Sequence, residues 1–189
     1  MPLFVYDPPE RFVVGAVGSP GERTFFLQAR DADRLTSVVL EKLQVAALAE
    51  RLEELLDELV RRSGGDPVVP VVAPAELVDD GPLEQPIMED FRAGAMALAW
   101  DPEHERIVIE AQEAGEDDEV EPLSEEEPPE GRDVLRVMIT PGEARAFAQR
   151  AMQVVAAGRP PCPLCGLPLD SGGHVCPRQN GHRDATLES

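Results

Sequence analysis

The residues best suited to chemistry in this sequence lie close together near its C-terminal end. The three cysteines of the chain, Cys162, Cys165 and Cys176, all fall there, and His174 stands two positions before the last of them. Two thiols separated by two residues, followed about ten residues later by an imidazole and a thiol, supply the donors of a tetrahedral zinc site. The spacing therefore predicts that Cys162, Cys165, His174 and Cys176 bind a Zn²⁺ ion.

The fourth ligand has two candidates. His174 can reach the same metal as Cys176 across a tight turn, whereas His182 lies six residues beyond Cys176, after an Asn180-Gly181 turn. We prefer His174 and keep His182 as the alternative. Three thiolates and one imidazole would leave no metal position for water, so we expect a structural zinc ion, which stabilises a segment too small for its own core. A metal-free thiol cluster and a redox pair are the other interpretations.

Composition limits the classes of partner. The chain has 189 residues, 42% of them hydrophobic, and a formal net charge of −20. A strongly acidic protein repels phosphate backbones and acidic lipids, which argues against nucleic acid and membrane partners. The N-terminus has no basic and apolar leader, and no apolar run is long enough to span a bilayer. We therefore expect a cytoplasmic protein, whose reduced thiols favour metal over disulfide.

Hydrophobic periodicity predicts the same order of elements twice. Alternating apolar residues indicate strands in the first half at 11–17, 23–30 and 36–42, and an apolar stripe indicates a helix at 44–62. In the second half the predicted strands are 94–100, 106–112 and 134–140, with Leu135 outside the alternation of the last one. The following helix, at 141–157, has a strong start signal in Thr140, Pro141 and Glu143.

The predicted fold class is α+β, with two βββα halves, each an antiparallel meander plus a helix, that indicate an internal duplication. Residues 113–130 hold ten acidic residues and no basic one, so we expect a disordered loop there. A Pro- and Gly-rich connector joins the halves, with room for a short edge strand, and a zinc-ribbon-like knuckle ends the chain. The predicted boundaries are 1–63 for the first half, 64–90 for the connector, 91–158 for the second half, 159–183 for the knuckle and 184–189 for the tail.

Several stretches resemble one known family over nearly the whole chain. They are Phe12-x-x-Gly15, residues 23–29, residues 41–45 and the motif that begins Cys162-Pro-Leu-Cys165. The sequence resembles the actinobacterial family catalogued as domain of unknown function 3090. The resemblance implies no established activity, although an aromatic residue is often found there at the position of His182, which favours His174 as the ligand. It also implies that genes for a histidine-phosphatase-like protein and a kinase-like protein lie nearby, in a small phosphotransfer or mycothiol-related system.

These observations favour a non-enzymatic, zinc-binding adaptor or regulatory protein that acts with a protein partner, such as the phosphatase-like or kinase-like neighbour. One alternative is an enzyme with its site at the seam between the halves, built from polar strand residues such as Arg23, Arg30, Arg106 and Glu110. A second alternative is a binder of single-stranded nucleic acid, which the net charge opposes.

Overall fold

A seven-stranded sheet and two α-helices build a mixed α+β fold, as the sequence predicts. The structure is a computed structural model that describes residues 2–63, 69–115, 131–158, 162–165 and 176. The strands are β1 (Leu3–Tyr6), β2 (Arg11–Val17), β3 (Thr24–Asp31), β4 (Arg34–Leu40), β5 (Phe91–Asp101), β6 (Arg106–Glu113) and β7 (Val134–Ile139). The helices are α1 (Lys42–Ser63), which follows β4, and α2 (Pro141–Ala156), which follows β7.

The sheet consists of two meanders placed side by side. Its strand order is β1-β7-β6-β5-β4-β3-β2. Strands β2, β3 and β4 form one antiparallel meander, and β5, β6 and β7 form the other. The meanders meet through parallel pairing of β4 with β5, and β1 extends the second meander by parallel pairing with β7. Three strands followed by a helix therefore occur twice along the chain.

Most element bounds agree with the predicted ones to within a few residues, but two features of the chain differ. The four-residue strand β1 was not predicted, and it joins the sheet beside β7 rather than beside the strand that follows it. In the connector, the described residues 69–90 contain a single-turn 3-10 helix, Ala75–Leu77, and no strand, so the expected edge strand is absent from that part. The many prolines of the connector explain the missing strand, since proline has no backbone N–H to donate a hydrogen bond to a neighbouring strand.

The sheet is strongly curved. Its two edge strands, β1 and β2, are joined by residues 7–10 alone, which span at most about 19 Å. The edges of a flat seven-stranded sheet would lie about 29 Å apart. Interior contacts show the same curvature, because Phe4 of β1 stacks on Phe91 of β5 with ring centroids 6.2 Å apart. The Tyr6 hydroxyl of β1 likewise lies 2.8 Å from the Thr36 Oγ1 of β4.

The concave face of the sheet and the apolar stripes of both helices form one hydrophobic core. In β7 the buried side chains are Leu135, Val137 and Ile139. The prediction that Leu135 stands outside the alternation is therefore wrong. It failed because Val134 and Met138 place apolar residues on the outer face of β7 as well. The alternation therefore could not show which face of the strand points to the core. None of the described helices is long and apolar enough to span a membrane.

The connector covers the outer face of the first meander. Leu83 packs on Gly15 of β2 so closely that a Cβ at Gly15 would lie 2.6 Å from the Leu83 Cγ. Gln28 of β3 accepts a hydrogen bond from the Glu84 amide at 2.8 Å. These contacts hold connector residues 83–84 against β2 and β3, at the edge of the sheet that lies next to α2.

Helix α2 begins with the capping box that the sequence predicts. The Glu143 amide donates to the Thr140 Oγ1, and the Thr140 amide donates to the Glu143 Oε2 at 2.7 Å. Pro141 occupies the first helical position, where no amide is needed. The Arg150 side chain fixes the helix to the free edge of β2, where its Nε donates to the Val14 carbonyl at 2.6 Å.

Candidate metal centre and seam cavity

Three cysteine sulfurs meet beyond the end of α2. The Sγ atoms of Cys162, Cys165 and Cys176 all lie within 4.8 Å of one another, and Cys162 and Cys176 are 4.0 Å apart. A disulfide would require about 2.05 Å, so none of the three cysteines is in a disulfide. Two sulfurs bound to one tetrahedral zinc ion at about 2.3 Å lie about 3.8 Å apart. The sulfurs are therefore close enough to hold one metal ion.

The local backbone favours the metal-binding form of Cys162. Residues 163–165 form a turn that folds back over the first cysteine. The backbone amides of Cys165 and Leu164 donate hydrogen bonds to the Cys162 sulfur and lower the pKa of this thiol. The Cys165 amide has the larger effect. Amide dipoles stabilise the thiolate, which is the species that binds metals. Cys162 is buried, and a thiolate in such a place needs a cation to balance its charge.

The histidines predicted as fourth ligands, His174 and His182, lie outside the described residues, so both assignments stay predictions. The remaining histidine, His104, is on the exposed turn between β5 and β6. Its Nδ1 lies 2.8 Å from the Asp101 Oδ2, and this contact holds the pKa of Asp101 below its usual value. The Asp101–His104 pair closes a turn and contacts none of the cysteines.

A cavity of about 420 Å³ opens where the two βββα units meet. We call it the seam cavity. Its walls come from the link between β1 and β2, the start of β2, the middle of the connector, the end of β7 and one face of α2. The lining residues are Pro9, Glu10, Arg11, Phe12, Val13, Glu76, Leu77, Val78, Asp79, Asp80, Ile139, Glu143, Ala146, Phe147 and Arg150. No sequence motif marks this site, because its walls come from segments far apart in the chain.

Asp79 organises the charges on one wall of the seam cavity. Arg11 donates to both of its oxygens, with Nε at 2.6 Å and Nη2 at 2.9 Å, and Arg150 Nη1 lies 3.1 Å away. The hydrogen bonds from Arg11 lower the pKa of Asp79 and raise the pKa of Arg11. Burial lowers the pKa of Arg150. Asp79 is therefore ionised at neutral pH and serves as a structural anion, not as a proton donor.

The polar strand residues proposed for an enzyme site do not come together. None of Arg23, Arg30, Arg106 and Glu110 lines the seam cavity. Arg23 donates to the Val154 carbonyl at 2.9 Å, and Glu110 pairs with Arg136 on the outer face of β6 and β7. These contacts are structural, and they give no support to a catalytic group built from the four residues.

Comparison with protein families finds one whose model matches residues 4–176, and its description is "Protein of unknown function (DUF3090)". The match covers the sheet except for Leu3, both described helices and the three cysteines, and it confirms the resemblance inferred from the motifs. No curated protein matches the chain. No solved structure matches it either.

Proposed function

Because the chain belongs to the family of unknown function DUF3090, we propose its function from its own residues: it is a non-enzymatic zinc-binding adaptor or regulatory protein that acts with a protein partner. The observation that supports this proposal is the convergence of Cys162, Cys165 and Cys176, with sulfurs within 4.8 Å of one another. All three lie after α2, in a segment that has few residues with which to build a core of its own.

Zinc is the metal that this donor set favours. Thiolates select soft or borderline ions such as zinc over magnesium or calcium, which prefer oxygen ligands. We propose His174 as the fourth ligand, with His182 as the alternative, to give a tetrahedral shell of three sulfurs and one nitrogen. Such a shell has no open position for water or substrate, so the metal would stabilise the fold rather than catalyse a reaction.

A structural zinc ion fixes the loops around it in one conformation. Preformed loops lose little entropy when they bind, and they therefore suit contact with another protein. The partners to test first are the histidine-phosphatase-like and kinase-like proteins that we expect to be encoded nearby. In such an adaptor the metal site helps to bind the partner protein, and the partner carries out any reaction.

The metal part of the proposal can be tested by elemental analysis of purified protein. We expect about one zinc ion per chain, lost in Cys162→Ser because a hydroxyl is a poor zinc ligand. His174→Ala should lose zinc, whereas His182→Ala should retain it. His104→Ala is the matched control, because His104 lies on the β5–β6 turn with Asp101 as its partner. Full zinc content in Cys162→Ser would refute the site.

The adaptor part needs a separate readout. The full chain should retain the neighbouring phosphatase-like or kinase-like protein in a pull-down, and Cys162→Ser or treatment with a zinc chelator should abolish that retention. Hydrogen exchange should show that chelation opens residues 159–183 and leaves β2 to β4 protected. If zinc is bound but neither neighbour is retained, the zinc site stands and the adaptor role falls.

A further inference from the structure

The seam cavity is a second feature with the dimensions of a binding site. Its volume of about 420 Å³ falls in the range of pockets that hold small molecules. It lies between the two βββα units, and interfaces between structural units are common places for ligands. The cysteine cluster contributes none of its walls.

The floor of the seam cavity is apolar. The Phe12 and Phe147 rings stack with centroids 4.6 Å apart and an interplanar angle of 13°. Ile139 closes the base and is almost fully buried. Leu77 and Val78 lie at the mouth, where they remain 37% and 46% exposed. Phe12 is half-buried and Phe147 is buried. A ligand with an apolar ring or chain could therefore cover Phe12, Leu77 and Val78 and remove their exposed surface from water.

The two arginines of the lining offer little to an anion. Arg11 donates to the Asp79 and Glu84 carboxylates and to the Pro82 carbonyl. Arg150 donates to the carbonyls of Val14, Asp79 and Gly81 and to the Asp79 carboxylate. These hydrogen bonds use four of the five N–H groups of each guanidinium, so each arginine has one N–H left to offer an anionic ligand.

The carboxylates of the lining, in contrast, are in surplus. Five acidic residues and two arginines line the seam cavity, which leaves three negative charges in excess. Among the described residues, the exposed side chains of Glu76 and Asp80 have no hydrogen bond and no ion pair. Glu10 has only an ion pair of 3.4 Å with Arg30. Asp80 interacts with Arg150 only at longer range, through its charge. The rim therefore presents carboxylates whose charge no hydrogen bond or close ion pair neutralises in full.

We propose that the seam cavity binds a small organic cation, namely a primary ammonium or guanidinium group attached to an apolar ring or chain. The apolar part lies on the Phe12–Phe147 floor, and the cationic group lies at the rim between Glu76 and Asp80. The apolar contact and the charge contact are both needed, because an exposed ion pair alone binds weakly and is screened by salt.

The test is an NMR titration of the full chain as purified with three probes that share a phenyl ring. Phenethylamine is cationic at neutral pH, 2-phenylethanol is neutral and 3-phenylpropanoate is anionic. Phenethylamine should shift the backbone amide signals of residues 76–80 and 146–150, with a dissociation constant that rises with salt. The alcohol should bind about three- to tenfold more weakly, and the carboxylate more weakly still.

A charge-matched pair of variants separates a local effect from the overall charge of the protein. Glu76→Gln combined with Asp80→Asn should weaken phenethylamine about three- to tenfold. Glu103→Gln combined with Glu105→Gln, on the β5–β6 turn, removes the same charge outside the cavity and should leave the affinity unchanged. A lysine-containing peptide, acetylated at its N-terminus, tests whether the cation belongs to a protein.

The possible results decide the proposal. Equal or tighter binding of the carboxylate would overturn it, as would shifts confined to other residues or no shifts with any probe. Equal weakening by both double variants would assign the effect to net charge and would also overturn it. If only the lysine peptide binds, the small-molecule assignment is wrong and the cavity is a peptide site.

Discussion

Asp79→Ala should destabilise the protein, because this carboxylate is the shared partner of two poorly exposed arginines. The side chains of Arg11 and Arg150 are only 16% and 12% exposed, whereas Asp79 is 35% exposed. Asp79 also accepts a hydrogen bond from the Gly81 amide at 2.9 Å. Removal of the carboxylate would take one acceptor from Arg11, Arg150 and the Gly81 amide. It would weaken the attachment of the connector to α2 and β2, which the remaining bonds to backbone carbonyls of the connector would still hold.

The magnitude follows from those contacts. A hydrogen bond to a charged group contributes about 1.5–3 kcal/mol, and breaking a fully buried ion pair costs about 3–5 kcal/mol. Because about a third of Asp79 is exposed, water can replace part of what is lost, and we reduce the estimate to about 2 kcal/mol. The control is Asp80→Ala, which removes the same charge from the next residue and should change stability by less than about 0.5 kcal/mol.

Urea unfolding of the two variants and the parent chain, with the free energy extrapolated to water, measures this difference. The slope with urea should stay the same, since the surface exposed on unfolding is unchanged. If Asp79→Ala and Asp80→Ala lie within about 0.5 kcal/mol of each other, the Arg11–Asp79–Arg150 network does not stabilise the protein as argued.

The same network predicts a pH dependence. The pKa of Asp79 is lower in the folded protein than in the unfolded chain, chiefly because of its hydrogen bonds with Arg11. The carboxylate therefore contributes its full stabilisation above about pH 4, and this is lost as the pH falls through the folded pKa. The advantage of the parent chain over Asp79→Asn should thus be constant near neutral pH and shrink in acid. An advantage that grows in acid would contradict the assignment.

Two further substitutions test the packing of the connector and the start of α2. Gly15→Ala should cost about 1–3 kcal/mol in urea unfolding, since its Cβ would lie 2.6 Å from the Leu83 Cγ. Combined with Leu83→Ala it should cost less than the sum of the single effects, and strict additivity would refute the clash. Thr140→Ala should cost about 1 kcal/mol through loss of the capping box, whereas Thr24→Ala, at an exposed strand end, should be nearly neutral. Equal effects of the two threonine substitutions would contradict the capping argument.

Local patterns account for what the sequence could predict. The order of three strands and a helix, repeated once, follows from alternation and from apolar stripes, which need only neighbouring residues. The capping box of Thr140 and Glu143 spans four positions and could be identified from residue types alone. The three cysteines were expected to come together, and their sulfurs do so within 4.8 Å.

The features that could not be predicted from the sequence depend on contacts between distant segments of the chain. β1 is too short to give a periodic signal, and its pairing with β7 leaves no trace in either segment. Asp79 lies 68 residues from Arg11 and 71 from Arg150, so no spacing rule joins them. The seam cavity is equally nonlocal, and the phase of Leu135 was ambiguous because both faces of its strand are apolar.

The parallel pairing of β1 has a consequence for synthesis on the ribosome. β1 emerges first, but Leu3 pairs with Val134, which is translated 131 positions later, on the order of ten seconds at typical elongation rates. Throughout that interval the nascent chain carries Phe4 and Tyr6 without the neighbouring strand that buries them, and Tyr6 is fully buried once folding ends. The β2–β4 meander, in contrast, can pair as soon as residues 11–40 have been made, so β1 is the strand of the first half that waits for the second half to be synthesised.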